Sequence, residues 1–119
     1  MEWLRVHAAR FRNNCIWSLA GWCASWKSEA TLRQWTLVNL ISFAFTWVVP
    51  MSTAERALIF ASGMMILVAE LLNTAVEEAV NRISTARHPL AEKAKDAGSA
   101  AVAVAAITAG GVWLLVLLG

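Results

Sequence analysis

Residues 57–80 read ALIFASGMMILVAELLNTAVEEAV, and they decide how the rest of the chain is understood. The run opens as a plain membrane span and then places Glu70, Asn73 and Glu77 inside the same helix. A carboxylate at bilayer depth costs a few kcal/mol, so its presence calls for a reason. At 100° per residue the three positions fall within about 60° of one another and form one polar stripe. If the hydrocarbon begins near Ala57, Glu70 lies roughly 20 Å in and Glu77 roughly 30 Å in, at the far surface. Buried polar groups also serve as glue between helices. Three on one stripe, ending where charged loop residues begin, point instead to a site where a lipid headgroup meets water.

Working outward, the 119 residues are 59% hydrophobic and 15% charged, which suits one integral-membrane domain over residues 1–119 better than a soluble core. The net charge of +2 is too small to suggest a nucleic-acid partner, and the basic residues sit beside apolar segments. The opening MEWLRVHAARFR has no apolar core followed by a small-residue cleavage site, so no removable signal is expected. Cys15 and Cys23 are eight apart, about 12 Å of helical rise, too far for a disulfide.

The periodicity predicts an all-α membrane protein: a surface helix over 2–28 and spans over 30–49, 56–80 and 97–118. In the first helix Leu4, Ala8, Phe11, Cys15, Leu19, Trp22 and Trp26 recur at spacings of three and four, with tryptophans and flanking basic residues suited to the headgroup region. Arg33 is expected to snorkel from the first span to the interface. Pro50 marks an exterior turn, and Ser52 or Thr53 is placed to cap the next helix. After the polar segment 81–96, Pro89 permits a short helical lead into the third span. That span is dense in Gly, Ala and Ser, which lets helices approach closely at the centre of an assembly.

Lys and Arg gather in the N-terminal segment (Arg5, Arg10, Arg12, Lys27, Arg33) and in the loop after span two (Arg82, Arg87, Lys93, Lys95). The positive-inside rule then places the N-terminus and that loop in the cytoplasm and the C-terminus outside. Glu29, the stripe of span two, and Lys95 with Asp96 all converge on the inner surface. Carboxylates from separate helices near a lysine are ingredients for holding a hard cation on a phosphate. A deeper acid, remote from that cation, is suited to taking a proton from an alcohol. No glycine-rich phosphate loop is present. So short a chain cannot enclose a large polar cavity, and another protomer is expected to complete the site.

The segments AELLNTAVEEAVNRIS (69–84) and HPLAEKAKDAGSAAV (88–102) closely resemble the small prokaryotic diacylglycerol kinase family. The likeness extends back through GWCASWKSEATLRQ (21–34) and covers essentially the whole chain. It implies a homotrimer of three-span protomers with a surface helix and active sites shared between neighbours. It further implies use of MgATP to phosphorylate diacylglycerol, giving phosphatidic acid at the inner face of the bacterial inner membrane. By that resemblance Glu70 is the proton acceptor and Glu29 and Glu77 hold the divalent metal and nucleotide. Lys95 and Asp96 contact the nucleotide, joined by Arg10 and His88, and Trp17 stands where the family usually has a tyrosine near it. Asn73 falls between the two acids, in a position to orient Glu70, while Ser99, Trp26 and Thr31 line the lipid pocket. The chain departs from the family pattern at Ala86, where an acid is common, at Asn81, where aspartate is usual, and at Trp35, in place of a common glutamate. The related undecaprenol kinases share the E-x-x-N and A-K-D motifs. The Gly98-Ser99 pair and the EATLRQ junction favour the Gram-negative diacylglycerol kinases. A non-enzymatic three-span assembly protein is the alternative from another class, and it would have no need of Glu29, Lys95 and Asp96.

Overall fold

The computed structural model describes residues 1–119 as four helices with no strand: α1 (Glu2–Ser28), α2 (Ala30–Phe45), α3 (Thr53–Ile83) and α4 (Pro89–Leu118). The expected all-helical architecture is what the chain adopts. α3 is the central element, packed against both α2 and α4, while α1 touches α2 and α3. The molecule measures 51 × 47 × 22 Å. α3 at about 46 Å accounts for one long dimension, and α1, about 40 Å long, for much of the other. A helix laid across the end of a bundle, rather than along it, gives such a slab.

Each boundary has a local cause. α1 stops at the single extended residue Glu29 (φ −108°, ψ 107°), with no glycine involved. Four carbonyls at a helix end lack intrahelical partners. Here the Arg33 guanidinium, one turn into α2, donates to the carbonyls of Trp26 and Lys27. The side chain expected to snorkel therefore folds back to cap α1. α2 is shorter than the predicted span and ends at Phe45. Over Thr46–Val48 the backbone tightens to i→i+3 bonds, Thr46 Oγ1 donates to the Phe43 carbonyl at 2.6 Å, and Thr46 is fully buried. Arg56 closes this turn by donating to the Thr46 carbonyl at 3.1 Å while its guanidinium rests 4.2 Å from the Trp47 ring centroid. Ser52 caps α3 in a reciprocal capping box with Glu55, as the sequence leads one to expect. The lead and the third span form one unbroken helix, with Pro89 at its first turn and the His88 ring accepting the Leu90 N–H.

Nine of 119 residues are buried, too few for a soluble core, and long apolar side chains such as Leu40, Ile41, Ile107 and Leu115 face outward. α3 and α4 are long and apolar enough to cross a membrane, whereas α2, at 16 residues, is short for that on its own. No residue of α1 is buried, and Leu4, Phe11 and Leu19 of its apolar seam are exposed. The chain is built to be covered by something other than itself, and lipid is the solvent that fits.

Polar contacts tie α3 antiparallel to both α2 and α4, while α2 and α4 run in the same direction. Asn39 Nδ2 of α2 donates to the Gly63 carbonyl of α3 at 2.8 Å, and near the C-terminal ends of α2 and α4 Trp113 Nε1 reaches Ser42 Oγ at 2.7 Å. At the opposite end Lys95 Nζ of α4 donates to Asn81 Oδ1 of α3 at 2.8 Å.

Candidate functional site

The buried face of α3 runs through Ile59, Ser62, Gly63, Ile66, Leu67 and Glu70. These spacings of three and four keep one face of a helix, and Asn73 and Glu77 continue it. The apolar core and the acid row are thus a single seam that changes chemistry part-way along. Glu70 is 6% exposed, and its Oε2 accepts the Thr31 hydroxyl of α2 at 3.1 Å. Seven residues on, half-buried Glu77 takes a long hydrogen bond of 3.4 Å from Asn73 Nδ2. The sequence put Asn73 in a position to orient Glu70; in the structure it holds Glu77, and Thr31 holds Glu70. Both acids lie within helical reach of Asn73, at i−3 and i+4, and with the Thr31 hydroxyl on Glu70 the amide bonds Glu77.

Asn73 also has an unmatched side. Its Oδ1 is buried with no hydrogen-bond partner and lies against Gly98 of α4. Beyond it a groove of about 630 Å³ opens between α3 and α4, lined by Met65, Leu72, Asn73, Val76, Gly98 and Val104 among others. It is a largely apolar slot with one amide in its wall.

The other candidate residues are distributed around this seam. Glu29, half-buried at the α1–α2 junction, accepts the Ser28 hydroxyl at 3.0 Å. Lys95 is occupied by Asn81 within the chain, and Asp96 is exposed. Ser99 is exposed on α4, Trp26 stacks on Trp22 at 5.9 Å, and Arg10 and Trp17 are exposed on α1. His88 serves as the cap of α4 beside a cavity of about 400 Å³ at the α3–α4 loop. Within one chain no three His, Cys, Asp or Glu side chains gather closely enough to hold a metal ion. The structure therefore brings Thr31 to Glu70 and Asn73 to Glu77, but does not gather Glu29, Glu77, Lys95 and Asp96 into one cluster. The Lys95–Asn81 pair was absent from the sequence reading. Helix register would have revealed it, since Asn81 lies near the C-terminal end of α3 and Lys95 near the N-terminal end of the antiparallel α4.

The description "Prokaryotic diacylglycerol kinase" belongs to the family model that matches residues 16–117. The chain belongs to this family. Among curated relatives, diacylglycerol kinase of Pseudomonas aeruginosa is 42% identical over 110 residues, covering 92% of this chain and 89% of its own length. That of Escherichia coli K12 is 36% identical over 101 residues, 85% of this chain and 83% of its own. That of Haemophilus influenzae is 37% identical over 101 residues, 85% and 86% respectively. Membership makes the chain a membrane-associated lipid kinase with ATP as co-substrate, and the resemblance read from the sequence is borne out at that level.

Proposed function

We propose that the protein transfers the γ-phosphoryl group of ATP to the free hydroxyl of diacylglycerol, giving phosphatidic acid and ADP at the cytoplasmic face of a bacterial inner membrane. The observation that carries this is the single seam of α3, with Glu70 buried and Glu77 half-buried two turns nearer the polar loop. The lipid enters laterally, with Ser99, Trp26 and Thr31 bordering its path. Glu70 accepts the hydroxyl proton as the oxygen bonds to the γ-phosphorus and the bond to the bridging oxygen of ADP breaks. Thr31 keeps the carboxylate turned toward the α2–α3 interface through one oxygen and leaves the other for the alcohol. Proton transfer by a positioned carboxylate is worth about 10²- to 10⁴-fold, and positioning and charge neutralisation supply most of the rest.

Lys95 and Asp96, with Arg10, Trp17 and His88 at the rim, receive the nucleotide, Lys95 exchanging its bond to Asn81 for phosphate. Mg²⁺ fits the residues present: it favours one or two carboxylates plus phosphate oxygens and water over an all-protein cage. Glu77 offers a carboxylate whose one protein partner is a neutral amide, and Glu29 is bound by a hydroxyl alone. When bound there, the ion neutralises charge on the transferring phosphate.

The proposed assembly is a homotrimer with shared sites, each protomer contributing a surface helix and three spans. The short α2 completes its crossing through the tight turn that follows it. The N-terminus is cytoplasmic and the C-terminus periplasmic. Exposed apolar faces, the small-residue face of α4 and the dispersal of the acids within one chain support this reading. Radiolabelled ATP with purified protein in mixed micelles, offering diacylglycerol and undecaprenol in parallel, tests the function. Label in phosphatidic acid is the expected result. Label on undecaprenol alone overturns the substrate, and transfer to neither overturns the kinase assignment. Native mass spectrometry in detergent tests the trimer.

A further inference from the structure

Asn73 has two ends, and each faces something different. Nδ2 donates to Glu77, while Oδ1 is buried without a partner and abuts α4 at Gly98. A Cβ at position 98 would lie 3.3 Å from Asn73 Cγ and 3.6 Å from Asn73 Cα, and closer to Oδ1 than a carbon can approach. The bare glycine thus turns a Cα–H toward the orphaned oxygen, a weak but favourable contact where no stronger donor exists. Any side chain at position 98 would have to rotate the Asn73 amide or push α3 and α4 apart. Rotating the amide takes Nδ2 away from Glu77. Gly110 and Gly111, on the same helix, have no neighbour within contact of an added Cβ, so close approach is a property of position 98 and not of α4 at large.

We propose that Gly98 is a positioning residue for the kinase site: its missing side chain lets α4 lock the Asn73 amide so that Asn73 holds the Glu77 carboxylate. This rests on the lipid-kinase reading above. Gly98 touches neither substrate nor metal in this scheme and acts through Asn73. Losing a hydrogen bond to a charged group changes an equilibrium by about tenfold or more, and the 3.4 Å length puts this one at the low end.

The test is a double-mutant cycle in mixed micelles on the full-length protein: wild type, Gly98→Ala, Asn73→Ala and the double variant. It is accompanied by the Asn73 side-chain ¹⁵N–¹H₂ resonance, assigned by its loss in Asn73→Ala. Gly98→Ala is expected to lower kcat/KM about tenfold, to raise the Mg²⁺ concentration for half-maximal rate, and to shift the Asn73 amide resonance. The same change in the Asn73→Ala background should cost less than twofold. Equal penalties in both backgrounds, or an unmoved Asn73 resonance, overturn the proposal. Should Gly98→Ala fail to fold while the double variant folds, collision with Asn73 is the cause and the proposal stands. If neither folds, the glycine serves helix spacing alone and the proposal fails. Where the Asn73→Ala background is inactive, the amide resonance decides. A wild-type protein without transferase activity refutes the kinase reading instead, and the resonance then still tests whether Gly98 fixes the amide.

Discussion

Replacing Asn81 with aspartate should weaken nucleotide binding through Lys95 while leaving the chemical step alone. In the structure Lys95 Nζ donates to Asn81 Oδ1 at 2.8 Å, a neutral acceptor holding a cation. Asn81→Asp keeps the geometry and adds a negative charge at the same distance. Asn81 is exposed and Lys95 half-buried, so the new pair belongs with screened ion pairs, worth about 0.2–1 kcal/mol. If Lys95 must leave that partner to meet phosphate, as proposed, KM for ATP rises by about 1.4- to fivefold. Turnover should hold, because Asn81 lies eleven residues from Glu70, about 17 Å along α3. Asn81→Leu removes the acceptor and should move KM the other way or not at all. The assay is initial rate against ATP at saturating diacylglycerol, repeated at high salt, where screening shrinks the aspartate effect. A KM at or below wild type for Asn81→Asp, or a loss confined to kcat, would refute the reasoning.

Other expectations follow from the same contacts. Glu70→Gln should nearly abolish phosphoryl transfer while nucleotide affinity, read by calorimetry, stays close to wild type; a parallel loss of affinity would place Glu70 among the nucleotide contacts instead. Thr31→Val leaves the buried Glu70 without its donor and should cost about 1–2 kcal/mol in unfolding free energy, with Thr31→Ser retaining most of it. Asn39→Ala, which breaks the bond to the Gly63 carbonyl, should cost about 0.6–1.7 kcal/mol without changing KM for either substrate. Beyond the span, Ser52 holds the Glu55 carboxyl below its usual range, first through its backbone N–H and then through its side chain. A lowered folded pKa stabilises the fold above the ordinary carboxylate value and loses that contribution as pH falls through the lowered one. Ser52→Ala should therefore raise the Glu55 midpoint seen by NMR, and its stability deficit should narrow in acid.

Much of this was legible in the sequence because helical periodicity is a local property. The stripe of Glu70, Asn73 and Glu77, the cap at Ser52 and the helical lead after Pro89 each follow from spacing within one segment. Contacts between segments were less accessible. Arg33 reads as a snorkelling cation until α1 ends one turn away and leaves two carbonyls for it to satisfy. Thr46 and Arg56 shorten α2 by a contact across the turn, which no window inside the first span reveals. Asn73 reads by resemblance as a partner of Glu70, and its spacing permits either acid; in the structure the amide bonds Glu77 while the Thr31 hydroxyl, from another helix, bonds Glu70.

The seam of α3 is also the physical ground for the proposed assembly of several chains. Its apolar half is matched by α2, where Leu32 is buried and Asn39 grips Gly63. Its polar half cannot be closed in the same way without removing the opening that substrates need. α4 meets that half at Gly98, which abuts Asn73 closely, and no cation of α4 forms an ion pair with Glu77. Lys95 is held by Asn81, one turn beyond Glu77, and no third carboxylate stands near enough to share a metal. A half-buried carboxylate flanked by an amide and a bare helix is an incomplete electrostatic environment, and the exposed apolar faces supply the means to complete it. Docking a second protomer on those faces would bring new polar groups to Glu77 while leaving the Thr31–Glu70 pair inside its own chain. In the proposed assembly the division of labour along α3 would become a division between chains, with the proposed proton acceptor set by one fold and the proposed phosphate site by the docking of several.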